Sequence, residues 1–280
     1  MKKGIYTALI TPFKNGGKID FESLSKIIKI QIKSKVSGVV ALGTTAESPT
    51  LSCEEKNNLL DFIIQQINNK IEVVAGCGTN CTTTTLEQIK WLNTKKIDAI
   101  LLSLPCYNKP NENGLKEHIK QCCKASSHPI ILYYIPSRTG QTLSNTLLKK
   151  ICQNKKIVAL KEASGNLDTF FAATTFKTNF MVFSGNDNQF YSSLLLGGSG
   201  IISVASNVIP KTMVKIFNDC NKKLFLKNLP ILNIMFAETN PVPIKYIMSK
   251  KGLCNDIVRL PLGQLKEETK KQINKIIKRN

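Results

Sequence analysis

The chain has 280 residues, of which 42% are hydrophobic, enough to bury the core of a barrel-sized domain. Its apolar runs are all far shorter than the roughly 20 residues of a membrane-spanning helix, so we expect no membrane segment. The net charge is +20, but the lysines are spread evenly and there are only three arginines, Arg138, Arg259 and Arg279. Because arginine is the better reader of bases, we expect no specific nucleic-acid binding.

Cysteine and histidine usage restricts the chemistry further. The nine cysteines include no Cys-x-x-Cys pair, which argues against a secreted disulfide framework and favours reduced, semi-buried thiols. The two histidines, His118 and His128, are predicted to be structural, which disfavours a histidine-rich metal site or a Ser-His-Asp triad. We therefore expect a cytoplasmic protein that uses no metal and no cofactor. The segment Met1–Tyr6 has no apolar secretory core, which agrees with that location.

Short apolar segments alternate along the chain with segments of helical periodicity. The predicted strands are Ile5–Ile10, Gly38–Leu42, Ile71–Ala75, Asp98–Leu102, Pro129–Tyr133, Lys156–Lys161, Phe180–Phe183 and Gly200–Val204. The predicted helices between and after them are Asp20–Lys33, Ser52–Ile67, Thr84–Thr94, Asn113–Lys124, Ser144–Cys152, Asn166–Thr175 and Asp187–Leu196. Asp20 is the predicted N-cap of the first helix, and Ser52 with Glu55 forms a predicted capping box on the second.

This alternation predicts a parallel sheet with helical crossovers, and eight units favour a closed (β/α)8 TIM barrel of the α/β class. The remainder, Pro210–Asn280, has no strand signal. We predict three helices there, separated at Asn228-Leu229-Pro230 and at Pro261, as a C-terminal appendage. The predicted division is a catalytic barrel at residues 1–224 and a helical region at 225–280.

The sixth predicted strand, Ile157-Val158-Ala159-Leu160-Lys161, carries four apolar residues and ends in a lysine. A lysine that apolar neighbours desolvate has its charged form disfavoured, and its amine can then attack a carbonyl to form a Schiff base. The alternative is a lysine that extends to the surface from the strand end, which is the commoner arrangement for any single lysine. The residues at the ends of the other strands are needed to choose between these two interpretations of Lys161.

In a TIM barrel the chemistry lies at the carboxyl ends of the strands. Strand two is followed by Thr44 and Thr45 after a glycine, either a carboxylate cradle or an ordinary turn that starts a helix. Strand four leads into Tyr107 in a proline-bounded loop, where a packed aromatic is the simpler interpretation. Strand five ends in Tyr133 and is followed by Arg138, which offer a proton shuttle and a carboxylate clamp, or else a core tyrosine and a surface arginine.

Together, the strand ends place an amine, phenols, hydroxyls and a guanidinium at one rim of the predicted barrel. This set suits Schiff-base chemistry on a small anionic keto acid. The run Gly197-Gly198-Ser199-Gly200 precedes strand eight and would lie at the opposite rim, so we interpret it as a tight turn rather than a phosphate loop.

Six segments in order resemble the 4-hydroxy-tetrahydrodipicolinate synthase (dihydrodipicolinate synthase) family over essentially the full length. They are Thr7–Phe13, Gly43–Ser48, Tyr107–Pro110, Tyr133–Gly140, Lys161–Gly165 and Asn240–Lys245. The resemblance implies a cofactor-free lyase of the class I aldolase type, a homotetramer built as a dimer of dimers. It would condense pyruvate with L-aspartate 4-semialdehyde in lysine (diaminopimelate) biosynthesis.

The resemblance also implies a role for each site residue. Lys161 would form the imine and Tyr133 would act as the acid and base. Thr44 and Tyr107, the latter from a neighbouring subunit, would complete a proton relay. Thr45 would hold the pyruvate carboxylate. The semialdehyde carboxylate would bind Arg138, and the carbonyl of Ile202 would line the site.

Three residues depart from the family pattern near this site: Ala46 replaces a glycine, Cys106 a tyrosine and Tyr134 an asparagine. The nearest alternative function is another pyruvate-dependent lyase, an N-acetylneuraminate lyase or a keto-deoxy-sugar-acid aldolase, which would share Lys161 and Tyr133. Arg138 favours the synthase, because a sugar-binding site has less use for a second carboxylate clamp.

Overall fold

Eight parallel strands form a closed barrel in chain order in the computed structural model, which describes residues 1–278. The strands are β1 Gly4–Ala8, β2 Gly38–Ala41, β3 Glu72–Cys77, β4 Ala99–Ser103, β5 Ile130–Tyr134, β6 Ile157–Glu162, β7 Met181–Ser184 and β8 Gly200–Ser203. The predicted TIM barrel is confirmed, with all eight strands within one or two residues of their predicted positions.

Helices follow the strands. They are α1 Phe21–Lys33, α2 Cys53–Ile67, α3 Thr82–Leu92, α4 Glu112–Ala125, α5 Pro136–Thr139, α6 Asn145–Cys152, α7 Leu167–Thr174, α8 Phe190–Leu195, α9 Pro210–Asp219, α10 Lys222–Ile234, α11 Val242–Lys250 and α12 Glu267–Ile277. The predicted caps are confirmed: Asp20 accepts the backbone N–H of Ser23, and Ser52 and Glu55 form a capping box.

The C-terminal prediction needs two corrections. Four helices, not three, follow Pro210 in the described residues, because α9 completes the eighth βα unit before three further helices begin. The predicted separation at Pro230 is wrong, since α10 continues through that residue. An interior proline removes one backbone hydrogen bond, and burial of neighbouring side chains such as Ile231 and Leu232 offsets that cost.

The predicted separation at Pro261 is confirmed, because this residue lies in the helix-free stretch between α11 and α12. The division of the chain at residue 224 stays a prediction, and its last two residues, 279 and 280, lie outside the described part. No helix within residues 1–278 combines the length and the apolar character that crossing a bilayer requires.

Internal contacts separate the chain into two compact units. One comprises Met1–Lys3 with Val73–Ile202, and the other Gly4–Glu72 with Ser203–Asn280. In the first unit, β5 and β6 run in register so that Tyr133 pairs with Lys161.

In the second unit a buried asparagine joins β1 to the turn after β8. The Asn207 side-chain amide donates to the carbonyl of Ala8, and its oxygen accepts the backbone N–H of Ile10. Such internal hydrogen bonds satisfy backbone groups that the end of a strand leaves without ladder partners.

Candidate active site

Lys161 lies near the carboxyl end of β6 and is only 7% exposed. It pairs in register with Tyr133 of β5 on one side and with Phe183 of β7 on the other. Its Nζ atom lies 4.2 Å from the centroid of the Tyr133 ring. The structure therefore places the predicted nucleophile and the predicted acid-base residue in direct contact, away from bulk solvent.

Space for the Lys161 side chain depends on Gly185, which follows β7. A Cβ atom at this position would lie 3.0 Å from Lys161 Cε and 2.5 Å from Ala163 Cβ. The backbone N–H of Gly185 also donates to the carbonyl of Glu162, at 2.6 Å. Gly185 was not among the predicted site residues, although a glycine directly after a barrel strand was a signal that could have identified it.

The residues next to Lys161 and Tyr133 face the other side of the sheet, as alternation along a strand requires. Tyr134 and Glu162 pair in register and are both buried. The Tyr134 hydroxyl accepts the backbone N–H of Leu143, and burial raises the pKa of this tyrosine. Burial likewise raises the pKa of Glu162, whose carboxylate accepts the backbone N–H of Ser164. Tyr134 thus ties the stretch before α6 to β5.

Arg138 lies on α5, the short helix that follows β5 directly. Pro136 begins this helix, and Gly140, with a φ of 70°, ends it. Glycine adopts this left-handed conformation without steric cost, so the chain can reverse immediately after the arginine. Arg138 is exposed and stands four residues beyond the end of β5.

Tyr107 is 87% exposed and has a φ of 69°. Its loop is nevertheless tethered at two points that follow Tyr107 in the chain. The Asn108 side-chain amide donates to the carbonyl of Asn80 at 2.8 Å, and that of Gln141 donates to the carbonyl of Pro110 at 2.5 Å. The loop therefore presents the Tyr107 side chain outward from a fixed backbone.

Ile202 is fully buried in β8, and Ile201 before it pairs with Ser184 of β7. Cys106, where the resemblance implies a tyrosine, is exposed beside Tyr107.

Thr44 and Thr45 belong to the second unit, where they start a 3₁₀ turn after β2. Thr45 is buried, and its Oγ1 atom accepts a hydrogen bond from the Asn240 side-chain amide at 2.9 Å. The carbonyl of Ala46 accepts the Thr11 hydroxyl at 2.7 Å. Ala46, where the resemblance implies a glycine, keeps ordinary turn geometry, since its own N–H bonds to the carbonyl of Gly43.

Comparison with known proteins shows similarity to one family along the whole chain. A model described as the dihydrodipicolinate synthetase family matches residues 1–280. A 4-hydroxy-tetrahydrodipicolinate synthase of Leptospira biflexa serovar Patoc is 41% identical over 277 residues, which cover 96% of this chain and 94% of the relative. A protein of the same name from Methanocaldococcus jannaschii is 37% identical over 286 residues, covering 99% of this chain and 98% of the relative.

Solved structures agree with these matches. The crystal structure of dihydrodipicolinate synthase from Thermotoga maritima has a TM-score of 0.95 at 34% identity and covers 100% of this chain and 98% of its own. The chloride-inhibited dihydrodipicolinate synthase of Acinetobacter baumannii, complexed with pyruvate, has a TM-score of 0.96 at 34% identity, with 99% and 98% covered.

Proposed function

The chain belongs to the dihydrodipicolinate synthetase family, and from this premise we propose that it condenses pyruvate with L-aspartate 4-semialdehyde through a Schiff base on Lys161. The observation that carries the proposal is the buried amine of Lys161 lying 4.2 Å from the ring of Tyr133. A shielded amine beside a phenol is what imine formation with a keto acid requires.

The first half of the reaction makes a nucleophile from pyruvate. The Lys161 amine attacks the ketone carbon, a C–N bond forms, and the ketone oxygen leaves as water after receiving protons. Loss of a methyl proton from the imine gives an enamine. Tyr133 supplies and accepts the protons in these steps, with Thr44 and Tyr107 as the relay that connects it to solvent.

The second half joins the two substrates. The enamine carbon attacks the aldehyde carbon of the semialdehyde, a C–C bond forms, and the aldehyde oxygen takes up a proton. The amino group of the semialdehyde then attacks the imine carbon and displaces the Lys161 amine, which closes the ring and frees the enzyme. One water is lost for each product formed.

Substrate binding is assigned to groups that suit carboxylates. Thr45, with neighbouring backbone amides, would hold the carboxylate of pyruvate, and the guanidinium of Arg138 would hold that of the semialdehyde. The carbonyl of Ile202 would line the site. The exposed position of Arg138 on α5 supports its role, because the second substrate enters after the imine has formed.

We also propose a cytoplasmic homotetramer built as a dimer of dimers, with Tyr107 supplied to the site of a neighbouring subunit. What supports this is the 87% exposure of Tyr107 on a tethered loop, since a phenol held outward is available to another chain. The comparisons favour the synthase over the alternative of an N-acetylneuraminate lyase or a sugar-acid aldolase.

Borohydride trapping tests the chemical core of the proposal. Reduction in the presence of labelled pyruvate should label Lys161, as found by peptide mapping, and Lys161→Ala should abolish the label. Lys155→Ala, which removes an exposed lysine six residues earlier, is the matched control and should label normally. Label on another residue, or cleavage of N-acetylneuraminate in preference to turnover of the semialdehyde, would contradict the proposal.

A further inference from the structure

A second buried lysine lies outside the residues assigned above. Lys245 on α11 is 0% exposed. Its Nζ atom forms an ion pair with the carboxylate of Glu47, donates to the carbonyl of Ile257 at 2.8 Å and lies 4.1 Å from the centroid of the Phe13 ring. A charge that is removed from water needs such partners, because an unpaired buried ion is strongly destabilising.

Glu47 is the counter-ion of this lysine. The nearby thiol of Cys254 is neutral, since burial raises its pKa to about 12. Burial lowers the pKa of Lys245, and the charge of Glu47 opposes that effect. The two side chains are therefore best described as one buried ion pair, in which the carboxylate of Glu47 favours the charged form of Lys245.

Glu47 also occupies an unusual backbone position. It separates two 3₁₀ turns, Thr44–Ala46 and Ser48–Thr50, and has a φ of 55°. A residue with a side chain is disfavoured in this left-handed region and persists there when its surroundings fix it. Two contacts do so: one carboxylate oxygen pairs with Lys245, and the other accepts the backbone N–H of Arg259 at 2.9 Å.

Arg259 also binds the end of the same loop, at Thr50. Its guanidinium donates to both carboxylate oxygens of Glu55, to the carbonyl of Thr50 and to the carbonyl of Gly17. It lies 4.5 Å from the centroid of the Phe13 ring. The segment from Thr44 to Thr50 is thus held at its middle and at its end by charged hydrogen bonds, which are directional as well as attractive.

We propose that the buried Glu47–Lys245 pair is a positioning device that sets the Thr44–Thr45 turn for the carboxylate of the keto acid. The inference rests on the proposed function and deepens it, because it names residues that act through the threonines. The hydrogen bond from Asn240 to Thr45 Oγ1 supports it independently. Since the amide donates to this oxygen, the hydrogen of the hydroxyl itself is directed to another acceptor, such as a substrate carboxylate.

Stability of the fold alone does not require a buried ion pair between Glu47 and Lys245. An apolar pair of similar volume stabilises a core as well as a buried ion pair does, or better. What the ion pair adds is a fixed direction for the side chain of Glu47, whose backbone is in the left-handed region. The expected signature of its loss is therefore weaker binding of pyruvate, beyond any change in stability.

The test compares steady-state and trapping kinetics in Glu47→Gln, Lys245→Met and the double variant Glu47→Leu/Lys245→Met. Each should raise the KM for pyruvate about ten-fold or more, while the KM for the semialdehyde changes by less than about two-fold. The double variant should recover the melting temperature that the single variants lose, without recovering the KM for pyruvate. Glu22→Gln is the control, because it breaks a Glu–Lys pair that is exposed on α1 and should change neither constant.

A further variant covers the case in which the charge changes prevent folding. Asn240→Ala removes the donor to Thr45 from a half-buried position and leaves no charge unpaired. It should raise the KM for pyruvate with the melting temperature unchanged.

The outcomes separate the two proposals. Failure of the unmodified protein to trap pyruvate on Lys161 overturns the proposed function. If it traps pyruvate normally, an unchanged KM for pyruvate in the folded variants overturns the positioning role alone. Recovery of the KM in the double variant, or an equal rise in the KM of both substrates, also overturns it.

Discussion

Lys161 and Gly185 show how closely one residue can depend on another at the carboxyl ends of β6 and β7. The lysine side chain passes through space that any Cβ atom at position 185 would enter. Ala163, whose Cβ atom would lie 2.5 Å from a Cβ at position 185, is also a small residue. The position of the Lys161 amine therefore depends on the small residues around its aliphatic stem as much as on the tyrosine ring that it contacts.

Gly185→Ala should slow imine formation at Lys161. The added Cβ would lie 3.0 Å from Lys161 Cε and 2.5 Å from Ala163 Cβ, so the lysine has to move from its position over Tyr133. We expect a fall of about ten-fold or more in the rate of borohydride trapping and a loss of about 1–3 kcal/mol in stability.

The matched control is Gly263→Ala, because a Cβ at position 263 meets nothing within 4 Å. It should trap pyruvate at the rate of the unmodified protein. A normal trapping rate in Gly185→Ala would show that the space around the lysine stem does not control its reactivity.

At the scale of elements, α2 carries a carboxylate with two functions. Glu55 accepts the backbone N–H of Ser52 to close the capping box, and it binds the guanidinium of Arg259 with both oxygens. The hydrogen bonds from Arg259 are the main cause that lowers the pKa of Glu55 to about 2. A local helix signal and a contact more than 200 residues away in sequence therefore share one side chain.

The lowered pKa predicts how stability depends on pH. A carboxyl whose pKa is lower in the folded chain than its usual 4.5 stabilises the fold above pH 4.5, and this contribution is lost as the pH falls towards 2. The destabilisation caused by Glu55→Gln should therefore be largest near neutral pH and should shrink between pH 4.5 and 2. Urea unfolding of both proteins at several pH values measures it.

Glu54→Gln provides the comparison, because Glu54 lies next to Glu55 in the same first turn but is exposed. It should cost a few tenths of a kcal/mol at most, since only its favourable interaction with the helix dipole is lost. A pH-independent difference between Glu55→Gln and the unmodified protein would contradict the role assigned to Arg259.

On the scale of the whole molecule, one proposed site residue points away from its own chain. Tyr107 is mostly exposed, while Asn108 and Gln141 hold the surrounding loop by hydrogen bonds to backbone carbonyls. Holding an aromatic side chain outward in water brings no burial of apolar surface within the chain. A neighbouring subunit would provide that burial and would complete its own site at the same time.

Subunit mixing tests this assignment. Lys161→Ala and Tyr107→Phe should each have low activity alone, but a mixed pair contains one site with both residues intact. After random exchange of subunits in a two-fold symmetric dimer, we expect roughly a quarter of the unmodified activity. Sedimentation of each variant checks that assembly is unchanged, and activity equal to the mean of the two parents would place Tyr107 in its own subunit's site.

The barrel and the helix caps were predictable from the amino-acid sequence. Both depend on local patterns, namely short apolar segments alternating with helical periodicity, and polar residues such as Asp20 and Ser52 before a helix. The sequence also singled out Lys161, because a lysine at the end of an apolar strand breaks a pattern visible within five residues. The course of α10 through Pro230 was not predictable in this way, since tertiary burial overrides the local preference of proline.

Contacts between residues that are distant in sequence could be identified only from the folded chain. The ion pair between Glu47 and Lys245 joins residues 198 positions apart, and Gly185 matters only because β7 pairs with β6. The glycine after β7 is visible in the sequence, but its closeness to the Lys161 side chain is not. The ion pair has no local signature, because a glutamate in a turn and a lysine in a helix usually lie at the surface. Their burial, and hence the energetic need for each to have a partner, arises only when the chain has folded.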